Sequence, residues 1–67
     1  MKRRADQISD AVIRERRTVR LPSGATGPIV GMLHGQNEAW VALVVDGRHE
    51  WCGPMPVDAV IEIGGAA

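Results

Sequence analysis

A hairpin signal in the middle of the chain constrains its fold more than any other feature. Residues 39–45 are an unbroken apolar run, Asp46-Gly47 follows it, and residues 48–52 resume an extended pattern. Aspartate followed by glycine favours the type I′ turn between antiparallel strands, because both central residues of that turn have positive φ. The pair therefore predicts a β-hairpin and a mainly β fold.

The chain is short for an independent domain. Its 67 residues make one thin core, and domains of this size commonly gain stability from disulfides, a metal or another subunit. The single cysteine, Cys52, excludes an internal disulfide and fits a reducing compartment. His34, His49 and Cys52 lack the paired spacing of zinc ligands, so we expect no metal and no cofactor. Association into a homo-oligomer or with a partner protein is the expected supplement.

No segment is typical of a signal peptide or a membrane span. Basic residues 2–4 are not followed by a long apolar run, and the most apolar window, residues 40–45, is six residues long. We therefore expect a cytoplasmic protein that does not contact membranes.

Charge is distributed unevenly along a chain whose formal net charge is zero. Residues 1–20 contain seven of the eight Lys and Arg residues and three of the eight acids, so they carry +4 and residues 21–67 carry −4. Such a dipole attracts nucleic acid, or an acidic surface of a partner or a neighbouring subunit, and the sequence leaves these alternatives open. The residues predicted to make this contact are Arg14, Arg16, Arg17 and Arg20.

Apolar residues near the N-terminus recur at helical spacing. They predict a helix over residues 3–17, but the stripe is weak and a lone helix of about four turns is marginal in water. We therefore expect residues 1–18 to form a basic N-terminal helix or arm that packs on the rest of the domain, pairs with another helix or is partly disordered. The apolar stripe consists of Ala5, Ile8, Ala11 and Val12.

From residue 18 onward, short apolar runs alternate with turn residues, which is typical of strands. In the long run over residues 39–45 both alternating sets are apolar, so one set should remain on the outside of a small barrel and favour an interface. Tryptophan is enriched in binding hot spots, so Trp51 belongs either to this interface or to the core. The residues predicted to form this docking surface are Val41, Leu43, Trp51 and Met55.

The end of the chain resembles the closing corner of the SH3 fold, whose members end in Gly-x-x-Pro-x-x-Tyr-Val followed by a short apolar strand. Trp40-Val41-Ala42 also resembles part of the SH3 Trp-Trp-x-Ala strand. The resemblance implies a five-stranded SH3-like barrel over residues 19–63, with Trp40 in its core and one turn at residues 57–59. Residues 64–67 are expected to be a flexible tail. The corner positions here are Gly53, Pro56, Val60 and Ile63.

Peptide-binding SH3 domains use aromatic residues at two positions where this chain has Ala39 and Ala59. Those aromatics form the platform for proline-rich ligands. A proline-rich peptide is therefore not the expected partner.

Three segments are also similar to the plasmid-borne type II dihydrofolate reductases, which are trimethoprim-insensitive. This similarity implies a barrel that assembles into a ring-like homo-oligomer. The pore lysine of that family falls on Leu21 and its Val-Gln-Ile-Tyr stretch on residues 52–55, so the groups that bind folate and nicotinamide are not carried over. The matching segments are residues 19–25, 27–31 and 56–63.

Residues 24–30 resemble the glycine turn of KOW-type barrels in ribosomal and transcription proteins, whose partners include RNA. Together with the basic segment, this keeps a nucleic-acid-binding regulator as an alternative function.

No residue pattern predicts catalysis. The turn at residues 22–27 lacks the Gly-Lys-Ser/Thr ending of a phosphate-binding loop, and no base is placed near Ser23 or Thr26. We therefore expect no enzyme but a binding or assembly module, of the kind found in small bacterial or mobile-element proteins. A reductase-like enzyme is the less favoured alternative.

Overall fold

In the computed structural model, which describes residues 1–64, six strands form one antiparallel sheet. The strand order is β1-β6-β2-β3-β4-β5, and strands make up 56% of the described residues. Apart from Gly64, the predicted tail 64–67 lies outside these residues. The strands are β1 Lys2–Arg4, β2 Thr18–Arg20, β3 Thr26–His34, β4 Glu38–Val45, β5 Arg48–Pro56 and β6 Val60–Ile63; a 3-10 turn covers Ala5–Gln7 and the helix α1 covers Asp10–Arg14.

The predicted hairpin is confirmed. β4 and β5 pair antiparallel, with Val45 opposite Arg48 and the two-residue turn between them. Asp46 and Gly47 have φ values of 51° and 77°, as a type I′ turn requires.

β3 is the strand that serves both halves of the sheet. Its first residues pair with β2 through Thr26–Pro28, and its remainder pairs with β4. An extra residue, Val30, stands between the pairs formed by Ile29 and Gly31, and such a bulge bends a strand. The bend turns one half of the sheet over the other and encloses the core between them.

The core consists of side chains from the inner face of the bent sheet, together with residues of the N-terminal segment. The largest fully buried side chains come from four different strands, so the two halves are held together by apolar burial. They are Ile29, Leu43, Ile61, Val19 and Val41.

The predicted helix over residues 3–17 is wrong in extent. Only Asp10–Arg14 is α-helical, and Lys2–Arg4 form an edge strand on β6 instead. A helix of this weak amphipathicity is marginal, whereas β6 offers a row of backbone hydrogen-bond partners. The apolar stripe is nevertheless covered: Ala5 and Val12 retain 0% and 6% of their exposure.

The five-stranded barrel is not what the described residues form. β1 adds a sixth strand, and the sheet is not closed, since β1 and β5 end the strand order and do not pair with each other within residues 1–64. The turn predicted at residues 57–59 is present, and the Ala59 N–H donates to the carbonyl oxygen of Pro56 at 3.0 Å. None of the helices in residues 1–64 has the length and apolar character needed to cross a membrane.

Replacing Gly27 with alanine should destabilise the fold. A Cβ at this position would lie 2.5 Å from the carbonyl oxygen of Val44, a backbone atom that cannot rotate away. We expect Gly27→Ala to lower the free energy of unfolding by about 1–3 kcal/mol, measured by chemical denaturation. Gly35→Ala is the matched control, because its Cβ would meet no atom within 4 Å; equal losses in both variants would contradict the close approach.

Candidate docking surface

The side of β3, β4 and β5 that faces away from the core carries an apolar surface, which we call the outer face. Residues on β4 alternate, so the neighbours of buried Val41 and Leu43 point outward. Cross-strand pairing adds residues of β3 and β5 to the same side. The outer face comprises Leu33, Trp40, Ala42, Val44 and Trp51.

Trp51 is the most prominent side chain of the outer face. It is 54% exposed, and its indole extends from β5, where Trp51 is opposite Ala42, over β3. A Cβ built on Gly31 would lie 3.5 Å from Cη2 of Trp51. Gly31 and Ala42 have small side chains or none, so they leave a shallow depression, the small-residue seat, in which the ring lies. Ala42, beneath the ring, is only 4% exposed.

Trp40 lies on the outer face. The SH3 resemblance had implied a position in the core. Its ring is partly buried against the backbone of Gly53, where a Cβ would lie 3.0 Å from Cε3 of Trp40. Leu33 stands opposite Trp40 on β3 and is 62% exposed. The apolar surface therefore continues from Trp51 to the opposite end of β4.

Two of the predicted docking residues are wrong for this surface. Val41 and Leu43 retain 0% of their exposure and lie in the core, because they share the inner face with Ile29 and Ile61. Their apolar character serves the interior. The apolar residues of β4 that remain on the outer face belong to the other alternating set, which includes Trp40.

Met55 lies on a different surface from Trp51. It is opposite inward-facing Ala39 and lines an open cleft of about 680 Å³ beside the C-terminal half of β5. The cleft walls carry no charged side chain, and the ten lining residues are Leu21, Pro22, Ser23, Cys52, Gly53, Pro54, Met55, Pro56, Ala59 and Val60.

The cleft brings together the positions that the reductase resemblance assigns to a pore. Leu21 and residues 52–55 line it together. Leucine in place of a lysine, and Cys-Gly-Pro-Met in place of Val-Gln-Ile-Tyr, leave the cleft with apolar walls. General acid–base work requires a titratable side chain aimed at a substrate, and Cys52, which is partly buried, is the only ionisable residue among those lining it.

Arg17 and Arg20 are engaged by carboxylates. Nε of Arg17 lies 2.9 Å from Oε1 of Glu15, and Nη1 of Arg20 lies 4.0 Å from Oε2 of Glu62. All four groups are at least one-third exposed, so these pairs add little to stability. Both arginines remain able to contact an external anion.

Arg14 and Arg16 are exposed at the end of α1, and neither has a salt-bridge partner within residues 1–64. The backbone N–H of Arg16 donates to the carbonyl oxygen of Ile13 at 3.1 Å, and that of Arg17 donates to the carbonyl oxygen of Val12 at 3.2 Å. These two hydrogen bonds are those of a Schellman motif. Arg16 takes the left-handed position of that motif, with φ 50°, where glycine is preferred. Arg16 therefore occupies a left-handed backbone conformation in which glycine would be less strained.

Among residues 1–64, no three His, Cys, Asp or Glu side chains are grouped so that they could hold a metal ion. Comparisons with protein-family models, with curated proteins and with solved structures give no match.

Two leucines test which side of the sheet is buried. Leu43→Ala should lower the free energy of unfolding by about 2–5 kcal/mol, because it opens a cavity in the core. Leu33→Ala, the same substitution at a residue that is 62% exposed, should change it by less than about 0.5 kcal/mol. Denaturant titration of both variants provides the measurement, and comparable losses would contradict the assignment of the outer face.

Proposed function

We propose that this chain is a non-enzymatic SH3-like binding or assembly module that docks its own subunits or a partner protein through the outer face. The observation that carries the proposal is the exposed indole of Trp51, which lies over Gly31. A tryptophan held on a small-residue seat offers a large contact area with little loss of side-chain entropy on binding, which is typical of hot spots.

The surroundings of Trp51 support a macromolecular partner over a small molecule. Leu33, Trp40 and Trp51 form a broad surface along three strands, and exposed apolar patches of this kind mark protein interfaces. His49, opposite Val44 on the same side of the sheet as Trp51, is polar and exposed, as at the rim of an interface.

Charge supplies the second part of the proposal. Lys2, Arg3, Arg14 and Arg16 are exposed and have no carboxylate within salt-bridge distance in residues 1–64. Lys2 and Arg3 lie on β1, at the opposite end of the strand order from β5 and Trp51, and Arg14 and Arg16 lie at or just after the C-terminal end of α1; we call these four residues the basic end. An acidic surface on the partner would be attracted to the basic end and would orient the partner during encounter.

A photo-crosslinking amino acid at position 33 tests the docking surface in the cells that make the protein. We expect a discrete adduct from this position that Trp51→Ser removes, because the adduct depends on the same apolar contact. Position 23 is the control, since Ser23 is exposed on the turn between β2 and β3 and belongs neither to the outer face nor to the basic residues named above. Failure to obtain an adduct at position 33, equal adducts from both positions, or an adduct that survives Trp51→Ser would each contradict the proposal.

A nucleic-acid-binding regulator of the KOW type is the second candidate, and one observation favours it. Arg16 occupies a left-handed backbone conformation, which costs a residue with a side chain about 1–2 kcal/mol. Strain of this kind is often retained where the side chain has a function. Contact with a phosphate backbone would be such a function for Arg16 and its neighbours Arg14 and Arg17.

Arg16→Gly separates the stability of the fold from the use of the side chain. Removing the strain should raise the free energy of unfolding by about 0.5–1 kcal/mol, since part of the gain is offset by the flexibility of glycine in the unfolded chain. If the chain binds nucleic acid, the same variant should elute earlier from heparin and from duplex DNA, and Arg14→Ala with Arg17→Ala should weaken retention further. Retention must also fall steeply with salt. No retention of the wild-type protein at low salt would exclude this candidate.

A further inference from the structure

We propose that two copies of this chain pair antiparallel through the open edge of β5, about a two-fold axis at His49 that places Arg48 of each copy opposite Glu50 of the other. The inference rests on the proposed function, because it specifies one association that the module makes. It is carried by the backbone and charges of the β5 edge, which the outer face does not use.

The hairpin determines which backbone groups of β5 are free. Val45 and Arg48 flank a two-residue turn and therefore form a hydrogen-bonded pair, and such pairs alternate along an antiparallel ladder. Arg48 and Glu50 thus direct their N–H and C=O groups to β4, whereas His49 and Trp51 direct theirs to the edge. β5 ends the strand order, so no strand within residues 1–64 pairs with those groups.

When two copies of β5 pair antiparallel, the charges of their side chains are complementary in one register. Two-fold symmetry about His49 sets Arg48 opposite Glu50 of the second copy, and the symmetry repeats the pair on the other side of the axis. Both side chains are exposed and have no ion-pair partner within the described chain. An axis at Glu50 would instead oppose two carboxylates, so charge selects the register at His49.

Only the N-terminal half of β5 is open to such pairing. Residues 48–51 are all exposed, pair regularly with β4 and contain no proline. The C-terminal half carries a register shift and the prolines at positions 54 and 56, which are common protections of an edge strand. Opposite charges at Arg48 and Glu50 disfavour an unrelated apolar strand but match a second copy.

Pairing of this kind would enlarge the docking surface without covering it. A two-fold axis perpendicular to the sheet keeps the outer faces of both copies on the same side. Two Trp51 side chains would then lie on one continuous sheet and could contact two sites of a partner together, which raises the avidity of docking.

Charge reversal at the edge tests the pairing, with the association constant of the purified full chain measured by sedimentation equilibrium. Arg48→Glu alone and Glu50→Arg alone should each weaken self-association about tenfold, because each changes both symmetry-related contacts. The double variant restores opposite charges across the axis and should associate within about threefold of the wild-type protein. Asp58→Arg, an equivalent reversal at an exposed turn residue, should leave the association unchanged.

The outcomes distinguish this pairing from the docking function on which it rests. A wild-type chain that remains monomeric at high concentration overturns the edge pairing, and so do single reversals without effect or a double variant that fails to recover. In those cases the docking function is still tested separately, by the crosslink from position 33 and by its loss in Trp51→Ser. If that crosslink fails while the reversals behave as expected, the edge pairing stands and the outer face loses its assigned function.

Discussion

The close approach of Gly27 to the backbone of Val44 is the constraint on which the rest of the structure depends. At this point β3 is still paired with β2, with Gly27 opposite Val19, and it already passes against the end of β4. There is no room for a Cβ between the backbones of Gly27 and Val44. Together with the extra residue at Val30, this contact bends one sheet into two facing halves. The interior formed in this way is thin, since the side chains that fill it are mostly valine and isoleucine.

This bend also determines which of the two alternating apolar sets of β4 is buried. The inner set, Val41 and Leu43, packs against Ile29 and Ile61 in the core. The outer set has no second layer above it within the described chain, and Trp51 covers it only in part. A domain with so small a core gains stability from covering more apolar surface, and this is the physical argument for the proposed docking and assembly.

Local features of the sequence predicted local structure well. Asp46-Gly47 predicted the hairpin because its backbone requirement is met by few other pairs. Alternation showed that β4 has two apolar faces, but it did not reveal which one is inner, because that choice depends on the register with β3. Val41 and Leu43 were therefore assigned to the wrong side. The N-terminal strand was missed for a related reason: Lys2–Arg4 have no strand pattern of their own and are extended because β6 offers partners.

Amide hydrogen exchange along β5, resolved by residue and followed with protein concentration, tests the central claim most directly. The account predicts slow exchange at Arg48, Glu50 and Cys52 at every concentration, because their N–H groups bond to β4. His49 and Trp51 should exchange rapidly when the protein is dilute and slowly when it is concentrated. In dilute protein, uniform protection along the strand, or an alternation of the opposite phase, would contradict the hairpin register and with it the assignment of both faces of the sheet.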